Sequence, residues 1–117
     1  MRVKDAVGRY GEQVAADHLE KSGLAVLSRN WRCAEGELDI VAREGDALVF
    51  CEVKTRSSTR FGDPSEAVNP DKAARIRRLA LRWLAAHGVS VRELRFDVVT
   101  VLRSAEGVRV RHLRGAF

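Results

Sequence analysis

The chain has 117 residues, the length of one ordinary domain, so a single unit over 1–117 is expected. Its 45% hydrophobic and 32% charged residues, with only two prolines, make a globular composition and exclude a disordered tail, a collagen-like rod or a disulfide scaffold. Twenty-one Lys and Arg against sixteen Asp and Glu leave a net charge of +5 and a pI near 9.9, a field that draws polyanions, nucleic acid first among them. Apolar runs are broken by charge long before the roughly 20 residues that cross a bilayer. The opening Met1 to Tyr10 carries charges where a secretory segment would be apolar. The expectation is therefore a cytoplasmic protein with no membrane association. Cys33 and Cys51 lack metal-type spacing and read as two free thiols.

Residues 5–22 read as a helix whose apolar arc holds Val7, Tyr10, Gly11, Val14, Ala15 and Leu19, with Gly23 just past its end. Strand patterns follow over 24–32, 36–43 and 47–56. Residues 57–70, with Ser57-Ser58, Gly62, Pro64 and Asn69-Pro70, read as a long loop of the kind that often carries function. A second helix over 71–87 places Ile76, Leu79, Ala80, Trp83 and Leu84 on one side and stops at Gly88. Arg75, Arg78 and Arg82 fall together on its other side as a basic ridge. Strands over 93–102 and 108–113 complete the order helix, three strands, helix, two strands. The helix between the third and fourth strands implies a parallel crossover, and the short link after Arg43 implies a hairpin. The fold class is α/β, a mixed central sheet flanked by helices.

The informative feature is a set of acids inside otherwise apolar strands. With Gly45-Asp46 as a two-residue turn, Glu44 opposes Ala47, and counting back sets Asp39 across from Glu52 and Glu37 across from Lys54. Strict alternation puts Glu37, Asp39 and Val41 on one face of the second strand, and Leu48, Phe50, Glu52 and Lys54 on one face of the third. Facing carboxylates repel and are costly to bury unless something positive lies between them. Magnesium, with manganese as the alternative, takes oxygen ligands of this kind, so Asp39 and Glu52 are the candidate metal ligands. Lys54 could pair with a phosphate oxygen or position a water, which completes the parts for metal-assisted phosphodiester hydrolysis. Glu12, at the edge of the first helix's apolar arc beside Gly8, Ala16 and Leu19, is a further carboxylate directed inward. The competing reading is a solvated strand face tied by ordinary cross-strand ion pairs.

Asp39, twelve intervening residues, then Glu52-Val53-Lys54 resembles the bipartite signature of the PD-(D/E)XK nuclease superfamily, with Gly36-Glu37-Leu38-Asp39 in place of the Pro-Asp half. More of the chain resembles the YraN-like family, small bacterial proteins related to archaeal Holliday junction resolvases. The match runs through Gly8, Gly11-Glu12, Asn30-Trp31-Arg32, the segments 36–42 and 49–56, Lys72 and Arg95-Phe96-Asp97-Val98. The resemblance implies a restriction-endonuclease-like core, metal ligation by Asp39 and Glu52, catalytic support from Lys54 and a site completed by Glu12. It also implies a DNA endonuclease acting on branched DNA in recombination or repair, for which a homodimer would supply two sites for paired cuts.

Arg56, Arg60 and the loop that follows could line a groove for a phosphate backbone, with Lys72 and the Arg75, Arg78 and Arg82 ridge extending it. Arg103, Arg109, Arg111 and Arg114 show no pattern beyond Arg109 and Arg111 sharing a strand face. His18, His87 and His112 lack zinc-site spacing and read as structural, as do Trp31 and Trp83. Asp97, inside the fourth strand, reads as an ion-pair partner for a nearby arginine. Two non-enzymatic readings stay open: a nucleic-acid or protein adaptor that keeps the nuclease fold, and a structural protein with only a solvated charge cluster.

Overall fold

A computed structural model describes residues 3–57 and 68–117, with side chains from Ala6 onward. Helix α1 spans Val3–Lys21, and strands β1, β2 and β3 span Ala25–Cys33, Gly36–Glu44 and Ala47–Arg56. Helix α2 spans Pro70–His87, and β4 and β5 span Glu93–Ser104 and Gly107–Leu113. The five strands form one sheet in sequence order, with β3 and β4 parallel and every other pair antiparallel. The expected crossover and hairpin are both present. Glu44 pairs with Ala47 around Gly45-Asp46, where Gly45 takes the positive φ of 58° that such a tight turn needs.

The helices cover opposite faces. Ala15, Ala16 and Leu19 of α1 pack on Ile40, Ala42, Val49, Cys51, Val99 and Val101, while Ile76, Leu79, Ala80 and Trp83 of α2 pack on Leu38, Val41, Leu48 and Phe50. Being buried on both faces, the first half of β3 reads as the continuous apolar run Ala47 to Cys51. Tyr10 departs from the expected arc of α1: it is exposed, with the Arg103 guanidinium 4.9 Å from its ring centre. Trp83 is buried and donates its Nε1–H to Ser28 Oγ, and Trp31 packs at the margin of the same cluster. Both cysteines are free.

The start of α2 is fixed by Asn69, whose side chain accepts from the Lys72 N–H at 2.8 Å with Pro70 following at the first helical position. Its end is fixed by Gly88 in the left-handed conformation, whose N–H returns to the Leu84 carbonyl. The loop expected over 57–70 lies for the most part outside the described residues, and with it Arg60.

Asp97 is wholly buried in β4. Its carboxylate accepts from Arg95 Nε and Nη2 at 2.9 Å each, from the Gly115 N–H at 2.9 Å, and contacts His112 Nε2 at 2.7 Å. Arg95 reaches on to Glu44 at 2.8 Å, and Arg114 joins the same glutamate. This network ties β2, β4, β5 and the C-terminal segment together, and it bears out the ion-pair reading of Asp97 and the structural reading of His112. Burial pushes Asp97 up, but His112, Arg95 and the Gly115 N–H outweigh it and hold the carboxyl at about 2.

A folded-state pKa below the ordinary value of 3.8 stabilises the fold above about pH 4, and that contribution is lost as pH falls toward 2. It amounts to on the order of 2 kcal/mol. Asp97→Asn should therefore lower stability at pH 7 by at least this much and flatten the stability profile between pH 4 and 2. Urea unfolding of both proteins across that range checks this, and an unchanged acid profile would show that the network does not carry the stability.

Candidate metal centre at the parting of β2 and β3

Pairing between β2 and β3 runs from Glu44/Ala47 to Ile40/Cys51 and stops there. One position further on, Asp39 stands in the register counted from the turn to face Glu52, and its Oδ2 accepts the Val53 N–H at 2.9 Å. The side chain thus takes a donor that a continuing ladder would give to backbone. Alternation also breaks here. Ile40 packs on the α1 side, yet Leu38, two residues back, packs with α2, and a methyl on Gly36 would meet Leu79 of α2. In β1, Asn30 sits between the Arg29/Ile40 and Trp31/Leu38 pairs with a φ of 53°, a left-handed conformation rare in a strand.

The consequence is a correction to strict alternation. Glu37 and Asp39 do not share the α2-side face of Val41; they meet Glu12 from α1. One carboxylate oxygen from each of Glu12, Glu37 and Asp39 lies within 4.8 Å of the others. Glu37 is not paired across from Lys54 either, because the β2–β3 ladder ends at Ile40/Cys51; its partner is Arg32 of β1, whose Nε contacts Glu37 Oε2 at 2.8 Å. Helix α1 reaches the site because Gly11 is buried against β3, where any side chain would collide with Thr55 Oγ1. That close approach sets the next residue, Glu12, over the parting strands.

The electrostatics are those of crowded like charges. Burial raises Asp39 first, and Glu52, Glu12 and Glu37 add to it, so that even with the Val53 N–H pulling the other way it is pushed up to about 7. Glu12 is raised by burial and by Glu37, while the Asn30 side chain and Arg29 partly offset this. Its Oε2 is buried and has no hydrogen-bond partner among the described residues. A buried acceptor without a donor, amid carboxylates that raise one another, suits a hard divalent cation with oxygen ligands.

Glu52 lies on the α2 side of β3, close enough to raise Asp39, and its Oε1 is 2.7 Å from Lys72 Nζ at the first turn of α2. Lys54 follows two residues later on the same face; burial, then Lys72 and Arg56, lower its pKa, while Glu52 raises it. The structure therefore brings Glu12, Asp39, Glu52, Lys54 and Lys72 together at one end of the sheet. Arg75 and Arg78 are exposed along α2, and Arg82 pairs with Glu35 at 2.7 Å. Glu37, read in the sequence as a member of the acid set but given no ligand role, joins Glu12 and Asp39, and Asn30 enters the site without having been singled out for it. The i, i+2 spacing of Glu37 and Asp39 was a signal for the first, and an asparagine within a strand pattern was a weak one for the second.

A second group of ligand-type atoms, Cys51, Asp97 and His112, also lies within 4.8 Å. Asp97 is already saturated by Arg95, Gly115 and His112, and burial followed by the Asp97 charge pushes the Cys51 thiol up, so this group is an ion-pair network.

Fold and site together define a small α/β protein with carboxylates from α1, β2 and β3 gathered where two central strands separate. The chain belongs to the uncharacterised protein family UPF0102, which matches residues 11–101. It is 65% identical to a UPF0102 protein of Frankia alni, over all of this chain and 98% of that one. It is 63% identical to one from Beutenbergia cavernae over 98% of each, and 53% identical to one from an Arthrobacter species over 98% of each. No helix among the described residues is long and apolar enough to cross a membrane.

Asp39→Asn removes one charge and keeps an oxygen for the Val53 N–H. It should raise stability at pH 8 by about 1 kcal/mol or more, the worth of a one-unit shift. The gain should be full above about pH 7 and fade as pH falls from there toward the ordinary 3.8, where the folded and unfolded chains are both protonated at Asp39. Magnesium or manganese should raise the unfolding midpoint of the wild type at pH 8, and less at pH 6. Thermal melts at the two pH values, with metal and with chelator, check both; a metal effect that survives Asp39→Asn in full would place the cation elsewhere.

Proposed function

We propose that the protein is a metal-dependent nuclease that hydrolyses phosphodiester bonds in DNA. The observation that carries this reading is the convergence of Glu12, Glu37, Asp39 and Glu52 from three elements, with Lys54 two residues beyond Glu52 on the same strand. An adaptor has no use for carboxylates that raise one another's pKa, because they cost stability that binding does not recover. The resemblance to the PD-(D/E)XK signature, and to resolvase-related proteins, agrees in residue type and order.

Glu12, Asp39 and Glu52 would hold a divalent cation, most simply Mg2+, with Glu37 as a further oxygen donor. When bound, such a cation supplies positive charge to the phosphoryl oxygens and acidifies an attacking water. Lys54, with its ammonium weakened by burial and neighbouring cations, orients the water or pairs with a non-bridging phosphate oxygen. Water attacks phosphorus in line, one P–O ester bond breaks, and the departing oxygen takes a proton. Lys72 pairs with Glu52, and its proximity to Lys54 adds positive charge where the scissile phosphate would lie. Arg56, with Arg75 and Arg78 further along α2, extends the positive field, and Arg60 belongs to the same expectation outside the described residues. Branched DNA, cut by a symmetric pair of subunits in the cytoplasm, is the substrate and setting that the resemblance favours.

Purified protein incubated with labelled single-stranded, duplex, flap and four-way-junction DNA should cut at least one of them with Mg2+ or Mn2+ and none with chelator. Asp39→Ala and Glu52→Ala should each lower the rate by about a thousandfold or more, the scale of losing metal-held charge at a reacting phosphate. Glu37→Gln should cost less. Equal DNA binding by wild type and both alanine variants, without cleavage by any of them, would replace the nuclease with an adaptor.

A further inference from the structure

The partner strands of β3, β4 and β5 carry a pattern that none of them shows alone. The parallel register sets Lys54 beside Thr100 and Arg56 beside Leu102, and the antiparallel register sets Thr100 beside Arg111 and Leu102 beside Arg109. Residues paired across strands project to the same face of a sheet. Val99, Val101 and Val110 pack on the α1 side, so Lys54, Arg56, Arg109 and Arg111 lie on the opposite face, the one that carries Glu52. Two adjacent rows, Lys54–Thr100–Arg111 and Arg56–Leu102–Arg109, therefore cross three strands with a cation at each end and no acid within them. The row before them is Glu52–Val98–Leu113, so the strip begins one step beyond the acidic centre. Arg56, Arg109 and Arg111 are exposed, and Glu106, in the β4–β5 turn, lies at the outer end near Arg109.

We infer that this strip is the main track for the phosphodiester backbone of a nucleic acid, with Arg109 and Arg111 of β5 gripping phosphates that flank the one beside Glu52 and Lys54. The inference rests on the reading of the protein as a DNA-acting enzyme and adds where the strand runs. Four cations on β3 and β5, with β4 between them and strands about 4.8 Å apart, match a linear polyanion better than a compact anion, which would need them to converge. The β5 arginines contribute charge and direction and touch no reacting atom.

Binding of a fluorescein-labelled duplex and a four-way junction, followed by anisotropy in chelator across a potassium chloride series, tests this. Replacing Arg109 and Arg111 together by Ser should weaken binding about tenfold and reduce the slope of log K against log salt by about 2, one unit per lost phosphate contact. Replacing both by Lys should restore the slope, which a packing role for the arginines would not do. Arg75→Ser with Arg78→Ser, further from the centre along α2, should reduce the slope by less than the Ser pair does. With metal present, the Ser pair should raise KM and leave kcat at saturating DNA within about twofold. A wild-type slope kept by the Ser pair, or lost only with the helix variants, overturns the strip and leaves the nuclease reading standing. Loss of slope in the Ser pair without cleavage by the wild type supports the strip and removes the nuclease. Failure of the wild type to bind any DNA overturns both.

Discussion

The Val53 N–H donates to the Asp39 carboxylate, and the architecture of the candidate centre depends on that single bond. Sheets are held by backbone partners, and a side chain that takes over a ladder position ends the pairing there. Beyond Ile40 and Cys51 the two central strands separate, and the gap is where α1 delivers Glu12 and β3 delivers Glu52. In β1 the left-handed Asn30 stands between the intact Arg29/Ile40 and Trp31/Leu38 pairs, and its side chain donates to Glu12. A local departure from regular sheet geometry thus gathers charges that a regular sheet would have kept on separate faces. Breaks of this kind commonly mark sites where a side chain is re-aimed.

Around this strained end the rest of the molecule is conventionally satisfied. Asp97 shows how the same chain treats a buried acid with no call for further chemistry: a guanidinium, an imidazole and a backbone N–H leave its carboxylate fully partnered and strongly ionised. Asp39 and Glu12 receive far less and are pushed the opposite way. Two acid clusters in one small sheet, one with its pKa depressed and one raised, separate structural from chemical use by their surroundings alone. Gly11 belongs to the same economy, since only the absence of a side chain lets α1 approach Thr55 closely enough to aim Glu12.

Much of this was legible in the sequence. Element order follows from the period of the apolar residues and from the stops at Gly23 and Gly88, which are local properties. The hairpin register follows from Gly45-Asp46, because a two-residue turn leaves one way to pair its flanks, and counting from it reaches Asp39 opposite Glu52. Asp97 could be read as an arginine's partner because a lone acid in an apolar strand needs a cation. Counting by twos misled at Glu37 and Leu38, since alternation presumes an unbroken strand and nothing local announces that a carboxylate will displace the ladder. Tyr10 was likewise misplaced, because a helical arc does not reveal how far a neighbouring sheet extends beneath it.

By itself the sequence determined which residues are apolar, where helices and tight turns begin and end, and which acids lie where burial is costly. These are matters of neighbouring residues and of period. Only the tertiary structure decided that β2 and β3 part at Asp39, that Glu37 joins Glu12 instead of Lys54, and that the arginines of β5 align with Lys54 and Arg56. Each of these depends on strands distant in the chain lying side by side, and on which backbone group a side chain reaches once they do. Long-range pairing has no local signature, so charges separated by tens of residues become neighbours only when the sheet closes.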